Sequence, residues 1–179
     1  MKMMKMVSTH KQQAGITLME VISSIVIGTI VVLGALALFS NASSSASSSQ
    51  MLNDLTALRS STQSVFYGQG GYGTASLNPT LITASKVPST MTVSGATINT
   101  SLGGTLTVTG NTTNFTMALT NVPADVCTSL LSNSSTGWAS VQVGSSAAIT
   151  AFPVSPATAT AAAQCGGTAP FAITWTSIN

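Results

Sequence analysis

The sequence predicts an α+β protein in which a long N-terminal, membrane-spanning helix packs its C-terminal half on an antiparallel sheet. Three patterns predict this class. An apolar run occupies residues 16–39, apolar side chains recur at helical spacing over residues 50–67, and alternation of apolar and polar residues begins near residue 90. An amphipathic helix must bury its apolar face, and a sheet built from the alternating strands offers the surface for it.

The apolar run, ITLMEVISSIVIGTIVVLGALALF, is long enough to cross a bilayer as a helix. Basic residues before such a run hold that end in the cytoplasm, and three lysines precede it at positions 2, 5 and 11. A secretory signal has a shorter apolar core, of about 7–15 residues, followed by a small-residue cleavage site. Because Ser40-Asn41-Ala42 fits such a site, a secreted domain released after Ala42 is an alternative.

A carboxylate, Glu20, lies near the start of the apolar run. A charged side chain in a membrane helix costs roughly 2.5 kcal/mol or more at the bilayer centre and usually marks function. If the chain is cut between Gly15 and Ile16, the new amino group lies four residues from Glu20. The two charges would then neutralise each other, within one chain or between neighbouring subunits, and favour one axial register. The alternative is that Glu20 only reaches the lipid headgroups.

The string AGITLMEV at residues 14–21, followed by an apolar stretch, resembles the class III signal of type IV prepilins. In that family a membrane peptidase cuts after the glycine on the cytoplasmic side, and a glutamate at the fifth mature position assists docking of incoming subunits. The resemblance implies that Gly15 is the cleavage-site glycine, Ile16 the mature N-terminus and Glu20 the docking glutamate. Ile16 departs from the family, in which Phe, Met or Leu is common at this position.

Residues 40–67 are predicted to form the second half of the same helix. The tract SNASSSASSS, residues 40–49, is typical of a linker on its own, and because serine has modest helix propensity we expect it to be helical or partly frayed. The apolar face that follows predicts packing on the rest of the protein; it consists of Met51, Leu52, Leu55, Leu58, Val65 and Phe66.

Residues 68–179 are predicted to form an α+β head. The glycine-rich GQGGYG, residues 68–73, ends the long helix. Asn78 and Pro79 are expected to cap and open a short helix through Thr80–Ser85, and Pro123 to open a second one with an inner face of Val126, Cys127, Leu130 and Leu131. Alternation predicts strands at residues 90–99, 104–110, 114–122, 138–143 and 171–177, and residues 144–170 are predicted as loop with a short helical turn.

The two cysteines, Cys127 and Cys165, lie outside the cytoplasm in this topology, where disulfides persist. A bridge would close a loop of roughly 40 residues and stabilise the head by on the order of 4 kcal/mol. Two buried free thiols are the alternative.

Composition argues against an enzyme. Only 4% of residues are charged, and the one histidine, His10, precedes the predicted cleavage site. The remaining acids, Glu20, Asp54 and Asp125, form no pattern of catalytic or metal-ligating residues, so no catalytic residue, metal or cofactor is predicted. No basic patch for nucleic acid follows residue 15. Trp138 and Trp175 are predicted to be core or interface residues.

The order of the head motifs resembles the heads of type IVb pilins, in particular the major pilins of conjugative-plasmid thin pili and enterobacterial adherence pili. The motifs are LI at 81–82, VP at 87–88 and 122–123, then Cys127 and Trp138. The resemblance implies the type IV pilin fold and a major subunit that lies in the inner membrane and then in an extracellular filament used for cell–cell attachment. The implied partners are copies of itself, prepilin peptidase, the assembly platform with its motor ATPase, and minor pilins. A type II secretion pseudopilin and a minor pilin are the structural alternatives.

Overall fold

The structure is a computed structural model that describes residues 18–134, 137–161 and 163–178. The chain divides into two compact units, Met1–Ser40 and Asn41–Asn179. The first unit contains the N-terminal part of helix α1. The second, called the head below, contains the remainder of α1 and every other helix and strand.

Helix α1 runs from Leu18 to Phe66 without interruption, so the serine tract is helical. Just beyond its C-terminus the backbone N–H of Gln69 donates to the carbonyl of Phe66 at 3.1 Å, and the side-chain amide of Gln69 donates to the carbonyl of Val65 at 3.2 Å. These bonds satisfy two of the carbonyls that a helix end leaves without partners. The helix thus ends where the glycine-rich stretch begins.

The head contains one antiparallel sheet of six strands in the order β1-β2-β3-β4-β6-β5. The strands are β1 (Thr92–Ser94), β2 (Thr97–Asn99), β3 (Thr105–Asn111), β4 (Asn114–Val122), β5 (Trp138–Val143) and β6 (Phe171–Ser177). The stretch 90–99, predicted as one strand, is a hairpin. Gly95 lies between β1 and β2 with a φ of 59°, a conformation that a residue with a side chain rarely adopts and that reverses the chain here.

Three short helices complete the head: α2 (Asn78–Thr83), α3 (Ala124–Ser132) and α4 (Pro156–Ala159). The prediction that Asn78 caps α2 is wrong, because the helix begins at Asn78 and its cap position, Leu77, makes no side-chain capping bond. The Asn78 amide instead bonds β3. Its Nδ2 donates to the carbonyl of Leu106 at 3.0 Å, and its Oδ1 accepts from the N–H of Val108 at 2.8 Å.

One hydrophobic core joins the second half of α1 to the sheet and to α3. Alternate residues of β3, β4 and β6 are buried in it, and α3 contributes its predicted inner face of Val126, Cys127, Leu130 and Leu131. Trp175 is 1% exposed and Trp138 is 8% exposed, so both tryptophans lie in the core as predicted. The predicted α+β class is confirmed: an N-terminal helix is followed by an antiparallel sheet with short helices.

Candidate functional site

The N-terminal part of α1 presents an entirely apolar surface apart from a few small polar groups and Glu20. Leu18–Leu36 is long and apolar enough to cross a membrane, and it is the one such segment among the residues that the structure describes. Every side chain from Leu18 to Leu36 is exposed. An exposed apolar surface of this extent indicates contact with a membrane or another protein.

The hydroxyl groups of this segment bond to their own helix. Ser23 donates to the carbonyl of Met19 at 2.8 Å, and Thr29 donates to the carbonyl of Ile25 at 2.9 Å. A polar group in hydrocarbon has no water to bond, so it must find its partner within the protein. These hydroxyls are therefore compatible with lipid or with a bundle of apolar helices.

Glu20 lies in the first turn of α1 and is exposed. The two residues of the predicted cleavage site, Gly15 and Ile16, lie outside the described residues.

The second half of α1 buries one stripe of side chains in the head. The buried residues recur at alternating intervals of three and four, which places them on one face of the helix; they are Ser48, Met51, Leu55, Leu58 and Thr62. Asp54 lies beside this stripe, is 7% exposed and accepts a hydrogen bond of 2.8 Å from the hydroxyl of Thr90. The predicted apolar residues Leu52, Val65 and Phe66 are partly buried at its edge.

The serine tract contacts the start of α3. The hydroxyl of Ser44 donates to the carboxylate of Asp125, and Ser44, Ser45, Ser48, Asp125 and Ser129 line a cleft of about 220 Å³. The bond from Ser44 is the main reason that the pKa of Asp125 lies below its ordinary value of 3.8; backbone N–H groups of Asp125 and Val126 lower it further, while burial opposes them. This contact was missed in the sequence because serine tracts carry no signal for a specific partner.

A second contact missed in the sequence joins α1 to β5. The guanidinium carbon of Arg59 lies 5.1 Å from the ring centroid of Trp138, within the range of a cation–π interaction. The Trp138 ring in turn lies 6.3 Å from that of Trp175, whose Nε1 donates to the hydroxyl of Ser134 at 3.1 Å. Arg59 and Trp138 lie far apart in the sequence, so only the fold could pair them.

A disulfide joins Cys127 of α3 to Cys165, as predicted, with 5.7 Å between the two Cα atoms. Both cysteines are buried. The bridge closes a loop with a sequence separation of 38 residues, which constrains the unfolded chain and stabilises the head by about 4 kcal/mol. It ties the segment that follows β5 to α3 and thus to the core.

Within the described parts of the chain, no group of three or more His, Cys, Asp or Glu residues is placed to hold a metal ion. The features with functional geometry are therefore the exposed apolar segment with Glu20 and the disulfide-closed head.

Two family models match the chain. Residues 45–178 match the family described as PilS N terminal, and residues 10–36 match the prokaryotic N-terminal methylation motif. No match was found among curated proteins. The first match covers three quarters of the chain, and the second includes the described apolar segment and the glutamate at its start. The chain therefore belongs to the PilS N-terminal family and is a type IV pilin precursor, a structural subunit.

Proposed function

We propose that this chain is the major subunit of a type IVb pilus, cleaved by prepilin peptidase and polymerised into a surface filament. The observation that carries the proposal is the contrast within one chain between a segment that exposes all its apolar side chains, Leu18–Leu36, and a head with its own buried core. The exposed segment is suited first to the inner membrane and then to the core of a filament, because both surround it with apolar groups.

In this proposal residues 1–15 are a cytoplasmic leader that is removed, and residues 16–39 anchor the subunit and later form the filament core. Residues 40–67 form the second half of α1 and lead into the globular α+β part of the head, residues 68–179, which the Cys127–Cys165 disulfide closes. The continuity of α1 through the serine tract supports this organisation, because one helix then carries both the anchor and a face of the head core.

Glu20 is proposed to direct assembly. Cleavage after Gly15 creates a positively charged amino group at Ile16, and in the filament the Glu20 carboxylate pairs with the Ile16 amino group of a neighbouring subunit. An unpaired carboxylate among apolar helices is costly, so only the axial position that pairs both charges is stable. The exposure of Glu20 at the start of the segment leaves it accessible for such a pair.

The first test is the intact mass and N-terminal sequence of protein sheared from the cell surface. We expect a chain that begins at Ile16 and is lighter by two hydrogens than the reduced chain, since one disulfide has formed. A chain that begins near Ser43 would mean cleavage after Ala42 by an ordinary signal peptidase and would refute the filament proposal.

The second test is Glu20→Ala, with Ser23→Ala as a matched control because Ser23 is also exposed on the apolar segment. Glu20→Ala is expected to leave cleavage and head folding intact and to abolish filaments seen by electron microscopy of sheared material. Ser23→Ala is expected to assemble normally. Abundant normal filaments from Glu20→Ala would refute the proposed charge pair.

The proposed partners are further copies of the chain, prepilin peptidase, an assembly platform with its motor ATPase, and minor pilins at the filament tip. The proposed role is attachment between cells, before DNA transfer or during adherence to a host. The alternatives in the same class are a minor pilin and a pseudopilin of type II secretion. Deleting the gene distinguishes a major subunit from a pseudopilin: loss of all filaments is expected for a major subunit, whereas loss of secretion with filaments intact would indicate a pseudopilin.

A further inference from the structure

A groove lies where α1 ends, and no residue that lines it is charged. Its volume is about 610 Å³, within the range of small-ligand sites. The lining consists of aromatic rings, two of which carry a phenolic hydroxyl, one side-chain amide, one threonine hydroxyl and glycine backbone, contributed by Gln63, Phe66, Tyr67, Gly70, Gly71, Tyr72 and Thr113. We call this feature the α1-end groove.

Backbone bonds hold one wall of the α1-end groove to the tip of the β3–β4 hairpin. The N–H of Tyr72 donates to the carbonyl of Thr112 at 2.8 Å, and the N–H of Thr112 donates to the carbonyl of Gly73 at 2.7 Å. The approach is so close that a Cβ at Gly71 would lie 2.5 Å from the Thr112 carbonyl oxygen, so only glycine fits there. The wall is therefore built on the sheet.

The aromatic rings of the groove differ in how they are held. Tyr72 packs against Phe66 at a centroid distance of 5.6 Å and against the buried Phe115 at 4.9 Å, so its ring is fixed by the core. Tyr67 is 90% exposed. A large aromatic ring left in solvent beside a fixed one offers a stacking surface that the head itself does not use.

We propose that the α1-end groove binds a neutral saccharide. A sugar ring presents C–H faces, which pack on aromatic rings, and a rim of hydroxyls, which bond to amides and hydroxyls. Tyr67 and Tyr72 supply the rings, Gln63 and Thr113 supply hydrogen-bonding groups, and the glycine backbone lets a ligand approach closely. The lining has no cation to pair with a phosphate or an acidic sugar, so the uncharged class is favoured.

This assignment gives the proposed attachment function a ligand class, and it rests on that function for its biological role. Binding itself does not require a filament, so it is measured on single subunits. A second copy of the chain is the competing occupant of the groove. If a second copy of the chain occupies the groove, replacing Tyr67 prevents filament formation; if a saccharide occupies it, filaments still form.

The experiment uses the full-length chain in lipid nanodiscs, prepared without sugar-headgroup detergents because these would compete. The probe is an immobilised set of neutral oligosaccharides that end in glucose, galactose, mannose or N-acetylglucosamine, beside sialylated versions of the same chains. Tyr67→Ala is expected to weaken binding of a neutral member about tenfold, or about 1.4 kcal/mol. Tyr67→Phe, which keeps the ring, is expected to retain most of the binding. The control Val93→Ala changes an apolar residue of β1, 45% exposed, outside the groove lining and is expected to have no effect.

Three results would overturn the proposal: no binding of any neutral oligosaccharide, equal binding by wild type and Tyr67→Ala, or binding of the sialylated chains alone. Loss of filaments in Tyr67→Ala would also overturn it, because the groove would then be a contact between subunits. Neutral-sugar binding in nanodiscs together with an absence of filaments on wild-type cells would refute polymerisation and support the groove assignment.

Discussion

The apolar segment of α1 and the head differ in which side chains they expose to solvent. From Leu18 to Leu36 every apolar side chain is exposed, whereas in the head polar residues such as Ser48, Thr62 and Asn78 are buried. In water the first arrangement is unfavourable, because each buried apolar side chain contributes about 1.5–3 kcal/mol that the segment does not obtain. The segment therefore depends on a lipid or protein environment that a single chain does not supply.

The two regions also differ in whether their side-chain hydrogen bonds join neighbouring residues or residues far apart in the chain. In the apolar segment Ser23 and Thr29 bond to carbonyls of their own helix. The head contains local bonds of the same kind, such as that from Thr62 to Leu58, and adds long-range bonds, from Asn78 to β3 and from Ser44 to Asp125 of α3. Local bonds survive any change of surroundings, and long-range bonds require the whole head to be folded. The difference indicates that the segment keeps its hydrogen bonds when it moves from a membrane to a filament core, whereas the head keeps its long-range bonds only while it is folded.

The strongest test of this comparison removes one apolar side chain from each region. Leu58 is fully buried in the head, so Leu58→Ala is expected to lower the free energy of unfolding by about 3 kcal/mol. Ile30 is 65% exposed in the apolar segment, so Ile30→Ala is expected to leave that free energy unchanged. Urea unfolding of the full chain in lipid nanodiscs, followed by tryptophan fluorescence, measures it, because both tryptophans lie in the head. Equal destabilisation by the two variants would mean that the apolar segment belongs to the head core.

A smaller change in the free energy of unfolding is expected when one polar side chain is replaced in each region, by Asn78→Ala in the head and by Thr29→Val in the apolar segment. Asn78→Ala leaves the carbonyl of Leu106 and the N–H of Val108 without their side-chain partner, at an expected cost of about 2 kcal/mol. Thr29→Val removes a hydroxyl bonded to its own helix and is expected to leave head stability unchanged. The same urea experiment measures both. An unchanged unfolding midpoint for Asn78→Ala would refute the proposed anchoring of α2 to β3.

The smallest expected effect is on how the stability of the head depends on pH. Because the pKa of Asp125 is lowered in the folded head, its contribution to stability is present above the ordinary pKa of 3.8 and is lost as the pH falls below it toward the folded value. Ser44→Ala removes the largest cause of the lowered pKa, so the variant is expected to lose less stability than wild type on acidification through this range. Ser23→Ala, on the apolar segment, is the control. Melting temperatures of the head measured from pH 6 to pH 2.5 test this, and identical pH profiles for Ser44→Ala and wild type would contradict the contact.

Much of the head was predictable because its signals are local. The alternation of apolar and polar residues predicted five stretches that correspond to the six strands. Helical spacing identified the buried face of α3, including Cys127. The prediction that Asn78 caps a helix is wrong. An asparagine before a proline is typical of a helix cap, and the neighbouring residues do not indicate that the Asn78 side chain bonds β3, 28 residues further along the chain. The single strand predicted at residues 90–99 is a hairpin because Gly95 adopts a conformation that alternation does not reveal.

The apolar helix, the order of the helices and strands and the presence of two cysteines that could form a disulfide can be predicted from the amino-acid sequence, because each depends on neighbouring residues or on composition. The strand order, with β6 between β4 and β5, and the pairs Ser44 with Asp125 and Arg59 with Trp138 follow from the folded structure alone. Such pairs form between residues far apart in the chain, and many sequences with the same local patterns would allow other partners. The physical reason is that local preferences are set by a few bonds, whereas a specific long-range contact exists only when the whole core has packed.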